Sequence, residues 1–386
     1  MNWQYFNPSK IVFGPGVLRE LHQQLLPGKT ALIVTTNGKS VQRCGYLPTL
    51  CGELEKAGVG YHIFHEVLQN PTVENITDGA ALAKEKGCDF VIALGGGSAL
   101  DAGKAIALMA VNPGSIWDYF MACSGGRQTP KNVPLPFVAI PTTAGTGSET
   151  DSGFVISNLQ AGEKLATGHP GCFPKLTVID PELTVSVPPK YTAFQGYDVL
   201  CHAMECYLSP KAMPLSDILI PEILSRVGKY LPRAVADGSD IEARSEMALA
   251  SALAGFCLTM SSLTLQHALE HSLSGVYHNL VHGCGLALLS RAYLANCATK
   301  EVYRPRMAKM ADALLGTTGS QAEDLVRATE ELKQACGMGD LKMADFGVKV
   351  EDFPKIIAGS HTRHYDNERL PITDGEVERI LYDAMG

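Results

Sequence analysis

Phe90-Val91-Ile92-Ala93-Leu94-Gly95-Gly96-Gly97-Ser98 is an apolar run that breaks into glycine, and a helical stretch from about Ala99 to Met109 follows it. Five consecutive apolar residues fit a strand buried on both faces. Where the helix opens, free backbone N–H groups and the positive end of the dipole can hold a pyrophosphate, and Gly95, Gly96 and Gly97 let the backbone come close to it. The run is not the Gly-x-Gly-x-x-Gly fingerprint, so an ordinary tight turn is its structural alternative. Ser98-Ala99-Leu100-Asp101 also matches a capping box, which gives Ser98 and Asp101 a structural reading beside a cofactor-binding one.

The same rhythm extends outward. Ala31–Val34 and Tyr61–Phe64 read as strands, Leu47–Ala57 and Asn75–Glu85 as helices, and Phe137–Ile140 as a further strand. Alternation of this kind predicts an α/β domain with a parallel, Rossmann-like sheet. A second loop, Pro141-Thr142-Thr143-Ala144-Gly145-Thr146-Gly147-Ser148-Glu149, again follows a strand. Its hydroxyls suit a ribose, a phosphate or a carboxamide, and two such loops on consecutive strand ends favour a nucleotide site. After Asp180-Pro181-Glu182-Leu183 the strand signals fade. Phe194–Leu208, Ser216–Tyr230, Ile241–Met260, Leu265–Leu273, Gly283–Cys297, Arg304–Leu314 and Ser320–Cys336 all accept a helical reading. With Thr184–Pro189 as linker, the expectation is an α/β domain over 1–185 and an all-α domain over 186–386.

At 386 residues, two domains is the sensible count. Lys plus Arg is 32 against 40 for Asp plus Glu, a net charge of -8, and no dense basic run is present, so nucleic acid is not an expected partner. Eleven scattered cysteines with no Cys-x-x-Cys pair fit reduced, buried thiols. Met1-Asn2-Trp3-Gln4-Tyr5 lacks the parts of a signal peptide, and a cytoplasmic location is expected. Met247–Leu269 carries no charged residue, but its serines, threonines, Gln266 and His267 read as a buried helix rather than a membrane span.

Two segments of the helical half carry ligand chemistry: Asp198-Val199-Leu200-Cys201-His202 and His267-Ala268-Leu269-Glu270-His271, with His282 just before Gly283. Residues four apart share a helix face, about 6 Å apart along the axis, near enough to meet one ion. An Asp with two or three imidazoles suits Fe2+ or Zn2+ and is poor for Ca2+ or Mg2+. Taken singly, each has a bland reading as a solvated Asp or a satisfied core His. Cys206 continues the Asp198 face about 12 Å along the axis, too far to share a metal, and reads as a core thiol.

In their order, Phe13-Gly14-Pro15-Gly16, Asn70-Pro71-Thr72, Gly95 to Lys104, Pro141 to Glu149, Asp180 to Thr184, and the Asp198 and His267 to Gly283 regions resemble the iron-containing, group III alcohol dehydrogenase family. The resemblance implies a dinucleotide-binding domain, a helical domain, a metal in the cleft between them and a homodimer or higher homo-oligomer. It implies Asp198, His202, His267 and His282 as metal ligands and His271 as a non-ligand histidine facing substrate and nicotinamide. It also implies cofactor contacts from Thr36, Asn70, Gly95, Gly96, Gly97, Ser98, Asp101, Thr142, Thr143, Thr146, Ser148 and Lys164, the last with a surface lysine as its alternative. The His271 to His282 segment is one residue longer than in many relatives. Where NAD-preferring members often place an Asp, this chain has Thr35-Thr36-Asn37-Gly38-Lys39, which admits NADP beside NAD. The expected reaction is hydride transfer between a primary alcohol or its aldehyde and NAD(P), with no membrane partner. Alternatives are a zinc polyol dehydrogenase, a dehydroquinate synthase-like lyase, and a silent nucleotide-binding protein. Phe194, Phe256, Leu263 and Tyr277 are candidate apolar walls for substrate.

Overall fold

The computed structural model of the chain describes residues 3–362 and 364–385. Two compact units are present, one of residues 4–186 and one from 187 onward that also takes in Trp3.

In the first unit, strands β1 (Lys10–Phe13), β2 (Thr30–Thr36), β3 (Gly60–Val67), β4 (Phe90–Gly95), β5 (Phe137–Pro141) and β8 (Leu176–Ile179) form a six-stranded sheet in the order β1-β8-β5-β4-β2-β3. Every pairing in it is parallel. Helices α1 (Ser40–Arg43), α2 (Tyr46–Lys56), α3 (Val73–Glu85) and α4 (Gly97–Met109) make the crossovers. Alternation within single strands explains the unbroken apolar runs: Ala31 and Ile33 pack into one core with Leu47, Leu50, Phe90 and Ile92, while Leu32 and Val34 face another with Ile76, Val91, Ala93 and Ile106. Both faces of the sheet are thus covered.

The chain leaves β2 for its neighbour β3 on one side and then crosses to β4 on the other. This reversal lies between the ends of β2 and β4, where Thr36 and Gly95 stand, and open α/β sheets bind ligands at such a switch point.

The elements expected from sequence are present, each starting or ending within a few residues of its expected limits. Absent from that expectation were β1 and β8, four residues each, an antiparallel hairpin of β6 (Gly153–Asn158) and β7 (Glu163–Gly168), and the helices over Ser40–Arg43, Phe353–Ser360 and Asp374–Met385. The hairpin is tied to α4 by Lys104. This fully buried side chain donates to Ser148 Oγ at 2.8 Å, Asp151 Oδ1 at 2.6 Å and Gly153 O at 2.8 Å.

The second unit is helical: α5 (Pro189–Leu208), α6 (Pro214–Ala236), α7 (Ile241–Met260), α8 (Leu265–Val276), α9 (His282–Ala298), α10 (Arg304–Leu315), α11 (Ala322–Ala335), α12 (Phe353–Ser360) and α13 (Asp374–Met385). The uncharged stretch from Met247 is no continuous rod, because α7 and α8 meet at a 105° bend. Among the described residues no single helix is long and apolar enough to cross a membrane.

Replacing Lys104 by Met leaves Asp151 without its cation and Ser148 without a donor. A loss of about 3–5 kcal/mol is expected, the cost of breaking a buried ion pair. Urea denaturation of Lys104→Met against wild type measures it, and a change below about 1 kcal/mol would show that the network is not a structural tie.

Candidate metal centre and nucleotide cradle

The metal-ligand candidates come from three helices of the second unit: Asp198 and His202 from α5, His267 from α8 and His282 as the first residue of α9. One carboxylate oxygen is the focus of all of them. Asp198 Oδ1 stands 3.4 Å from His202 Nε2, 3.5 Å from His267 Nε2 and 3.6 Å from His282 Nε2. Donors held about 2.1 Å from one tetrahedral ion lie about 3.4 Å from each other. Among the described residues Asp198 Oδ1 and His267 Nε2 are buried and have no hydrogen-bond partner. A buried carboxylate oxygen without a donor is costly, and a divalent cation satisfies it together with the imidazole lone pairs. The residues therefore fit the group that the sequence implied. Burial alone would push the Asp198 carboxyl up, but His202, His282 and His267 outweigh it and hold it below the usual carboxylate range.

Two carboxylates that the sequence reading did not use complete the centre. Glu205 Oε1 pairs with His267 Nδ1 and Glu270 Oε2 with His282 Nδ1, and both glutamates are fully buried. A carboxylate only accepts, so each Nδ1 carries the proton and each Nε2 keeps its lone pair for a metal. Burial pulls His267 down, yet Glu205 and Asp198 on its two sides outweigh this and push it up to about 10, so without an ion the ring holds a second proton that a metal at Nε2 would displace. His202 has no partner at Nδ1, and burial brings it down to about 4. The spacing held the missed signal: Glu205 lies three residues after His202 on one face of α5, and Glu270 lies three after His267.

His271 is buried beside the cluster, its ring 5.3 Å from that of His282 and 6.1 Å from that of His267. Asp198, His267 and His282 offer ligand atoms that all lie within 4.8 Å of one another, a set that includes neither His271 nor His202, although His202 Nε2 is 3.4 Å from Asp198 Oδ1; Glu270, His271 and His282 form a second such set. Helix α9 reaches α5 so closely that a Cβ on Gly283 would lie 2.0 Å from Phe194 O, which explains glycine next to His282. Of the other apolar candidates, Phe256 and Leu263 are half-buried, and the Tyr277 hydroxyl donates to Asp352. Cys206 is a buried core thiol, kept protonated by that burial.

In the first unit the two loops meet. A Cβ on Gly96 would touch Thr143 at 3.0 Å and one on Gly97 would touch Thr146 at 2.5 Å, so bare backbone is what lets them approach. Thr142 N–H donates to Gly95 O at 2.9 Å. Asn70, at φ 60°, turns its N–H to Ser98 Oγ at 3.3 Å. Thr36 ends β2, followed by exposed Asn37, Gly38 and Lys39. Lys164 lies on β7 opposite Ser157, whose N–H donates to Pro71 O.

The capping box read at Ser98 and Asp101 does not form: Gly96 is the N-cap, and α4 starts at Gly97. Asp101 Oδ1 instead accepts from Ser148 Oγ at 2.7 Å, and Oδ2 from Val155 N–H at 2.9 Å. Asp101 and Ser148 thus spend their polar atoms joining the second loop and the hairpin to α4. Burial of the Asp101 carboxylate pushes it up to about 6, opposed by Lys104, Ser148 and the Val155 N–H.

Models of the iron-containing alcohol dehydrogenase family match residues 8–181 and, for its C-terminal part, 192–385. Alcohol dehydrogenase 4 of Schizosaccharomyces pombe is 35% identical over 99% of this chain and 89% of its own length. The NAD-dependent methanol dehydrogenase of Bacillus methanolicus is 35% identical over 90% of each chain. The crystal structure of an archaeal halo-thermophilic Red Sea brine pool alcohol dehydrogenase superposes with a TM-score of 0.94 at 30% identity, covering 100% of this chain and 99% of the other. The chain belongs to the iron-containing alcohol dehydrogenase family and is an oxidoreductase of that fold.

The raised Asp101 carboxyl carries a pH signature. Its folded value lies above the ordinary 3.8, so the native state holds the proton more tightly than the unfolded chain, and its contribution to stability falls as pH rises from about 4 to 6. Urea midpoints of wild type and Asp101→Asn at pH 4, 5 and 6 should show the wild-type advantage shrinking with pH; parallel curves would contradict it.

Proposed function

We propose that the chain is a metal-dependent, NAD(P)-linked alcohol dehydrogenase and aldehyde reductase acting on primary alcohols. One observation carries this reading: a buried, unsatisfied carboxylate oxygen at Asp198 faced by the Nε2 atoms of His202, His267 and His282 at 3.4 to 3.6 Å. The four side chains form an N3O donor set for a divalent cation, Fe2+ by family and Zn2+ by raw affinity. When bound, such an ion polarises the oxygen of an alcohol or carbonyl.

Glu205 and Glu270 hold two of the imidazoles in the tautomer that ligation requires. Alcohol oxidation releases a hydride from carbon, which the nicotinamide takes, and a proton from oxygen. His271, buried against the His267 and His282 rings, is the group we assign to pass that proton onward.

For the nucleotide, the bare backbone of Gly95, Gly96 and Gly97 at the start of α4 supplies N–H groups for a pyrophosphate, with Ser98, Thr142, Thr143 and Thr146 as hydroxyl partners and Asn70 shaping the rim. Asp101 and Ser148 support that cradle from behind, and Lys164 is kept as a neighbour of its Pro71 side. Thr36 brings no carboxylate to repel a 2′-phosphate, and exposed Lys39 is near in sequence, so both NAD and NADP are accepted on this reading. Eleven unpaired thiols support a reducing, cytoplasmic setting.

The test is an alcohol and aldehyde panel with NAD and NADP on anaerobically purified, iron-loaded protein, followed at 340 nm. Asp198→Ala should lose bound metal and activity together; full activity without metal would overturn the reading. Gly97→Ala, whose methyl displaces Thr146, should weaken nucleotide binding about tenfold, roughly 1.4 kcal/mol, while metal content stays at the wild-type level. Unchanged nucleotide affinity would remove the glycine loop from the cofactor site.

A further inference from the structure

One short segment of the second unit reaches two of the three ligand-bearing helices, α8 at its N-terminal end and α5 at its C-terminal end. Asn367 Nδ2 donates to Ser262 Oγ at 2.6 Å and to Leu263 O at 3.1 Å, inside the bend that precedes α8. Glu368 Oε1 accepts from Leu265 N–H, the first residue of α8, at 3.0 Å. Arg369 donates from Nε to Leu208 O at 2.7 Å and from Nη2 to Ser209 O at 2.8 Å, at the C-terminal end of α5. An anion thus sits on the positive end of α8 and a cation on the negative end of α5, the sense that the helix dipoles favour.

Glu368 is also wired to the imidazole. Its Oε1 lies 3.0 Å from Tyr293 Oη, Tyr293 Oη lies 2.7 Å from Thr264 Oγ1, and Thr264 Oγ1 lies 2.9 Å from Glu205 Oε2. Glu205 then holds His267 Nδ1 and also accepts from Thr264 N–H at 2.9 Å and His267 N–H at 3.3 Å. Thr264 makes no side-chain cap on its own helix. The two glutamates, brought from positions 205 and 368, satisfy the first N–H groups of α8 in its place. Thr264 and Tyr293 have one hydroxyl proton each, so the pair orients as a unit towards one glutamate or the other and couples them. Tyr303 Oη donates to Glu368 Oε2 at 2.6 Å and accepts from Arg369 N–H at 2.8 Å, which closes the segment on itself.

We infer that Asn367-Glu368-Arg369, acting through Tyr293, Thr264 and Glu205, is a clamp that positions α5 and α8 so that His267 Nε2 and Asp198 aim at one cation. Glu368 and Tyr293 touch no candidate ligand and act only through others, as positioning residues. The inference rests on the reading that Asp198, His202, His267 and His282 hold a divalent cation, and its test separates the two.

Zn2+ affinity of the full chain is measured by competition with a chromophoric chelator, and the Co2+-substituted protein supplies a d–d absorption spectrum that reports ligand geometry. Wild type should bind Zn2+ and Asp198→Ala should not; if wild type fails to bind, or Asp198→Ala binds as well, the metal reading falls and the clamp with it. Given that control, Glu368→Ala should weaken Zn2+ binding by about 10- to 100-fold and alter the Co2+ bands. Glu368→Gln, which keeps an acceptor for Leu265 N–H, should recover part of the loss. Tyr293→Phe removes one oxygen and should give a smaller loss of the same kind; it decides the matter if Glu368→Ala does not fold. Affinities within twofold of wild type and unchanged Co2+ bands in the folded Glu368 and Tyr293 variants would overturn the clamp.

Discussion

A carboxylate oxygen taken out of water with no donor to meet it must be compensated, and at Asp198 the compensation is arranged by three imidazoles from α5, α8 and α9. Much else in the second unit follows from that requirement. The helices must meet closely, which leaves no room for a side chain at position 283. The rings must present Nε2 rather than Nδ1, so Glu205 and Glu270 are buried in turn. The cost of burying Glu205 is met by hydrogen bonds running outward through Thr264 and Tyr293. Polarity at the centre is thus spread over several layers of the fold.

The first unit solves a different problem with backbone. Its cradle has no charged side chain facing outward among Gly95, Gly96, Gly97 and the threonines; the attraction for a phosphate comes from amide groups and a helix dipole. Charge is instead kept beneath, where Lys104 and Asp151 neutralise each other and fix the second loop through Ser148. Lys104 of the buried ion pair and the bare backbone of the loop at Gly97 thus lie a few positions apart in one helix.

Periodicity and glycine placement made the sheet strands, the crossover helices and most of the helical unit legible in sequence. Strands β1 and β8 escaped because four residues carry too little pattern, and β6 and β7 because half-buried hairpin residues such as Glu163, Lys164 and Thr167 dilute it. At the site, spacing of four brought out Asp198 with His202, while the part of His271 rested on family resemblance alone and its ring lies against that of His282. Glu205 and Glu270 went unread because a spacing of three marks a shared helix face but does not name the histidine each carboxylate meets, and both pair with a histidine from another helix. For Asp101, local pattern suggested a cap, and tertiary contact with Ser148 and Val155 prevailed.

The outer strand of the parallel sheet has a bearing on biosynthesis. Among the described residues strand β1 pairs only with β8, and the Gly16 N–H just beyond it donates to the Asp180 carboxylate, a contact spanning 164 residues. Strand β1 is made before every other strand of this sheet, yet its pairing edge does not exist until nearly the whole α/β unit has been translated. Until then Ile11, Val12 and Phe13 have no strand to pair with, a segment of the kind that invites a wrong neighbour while the rest of the sheet is unmade.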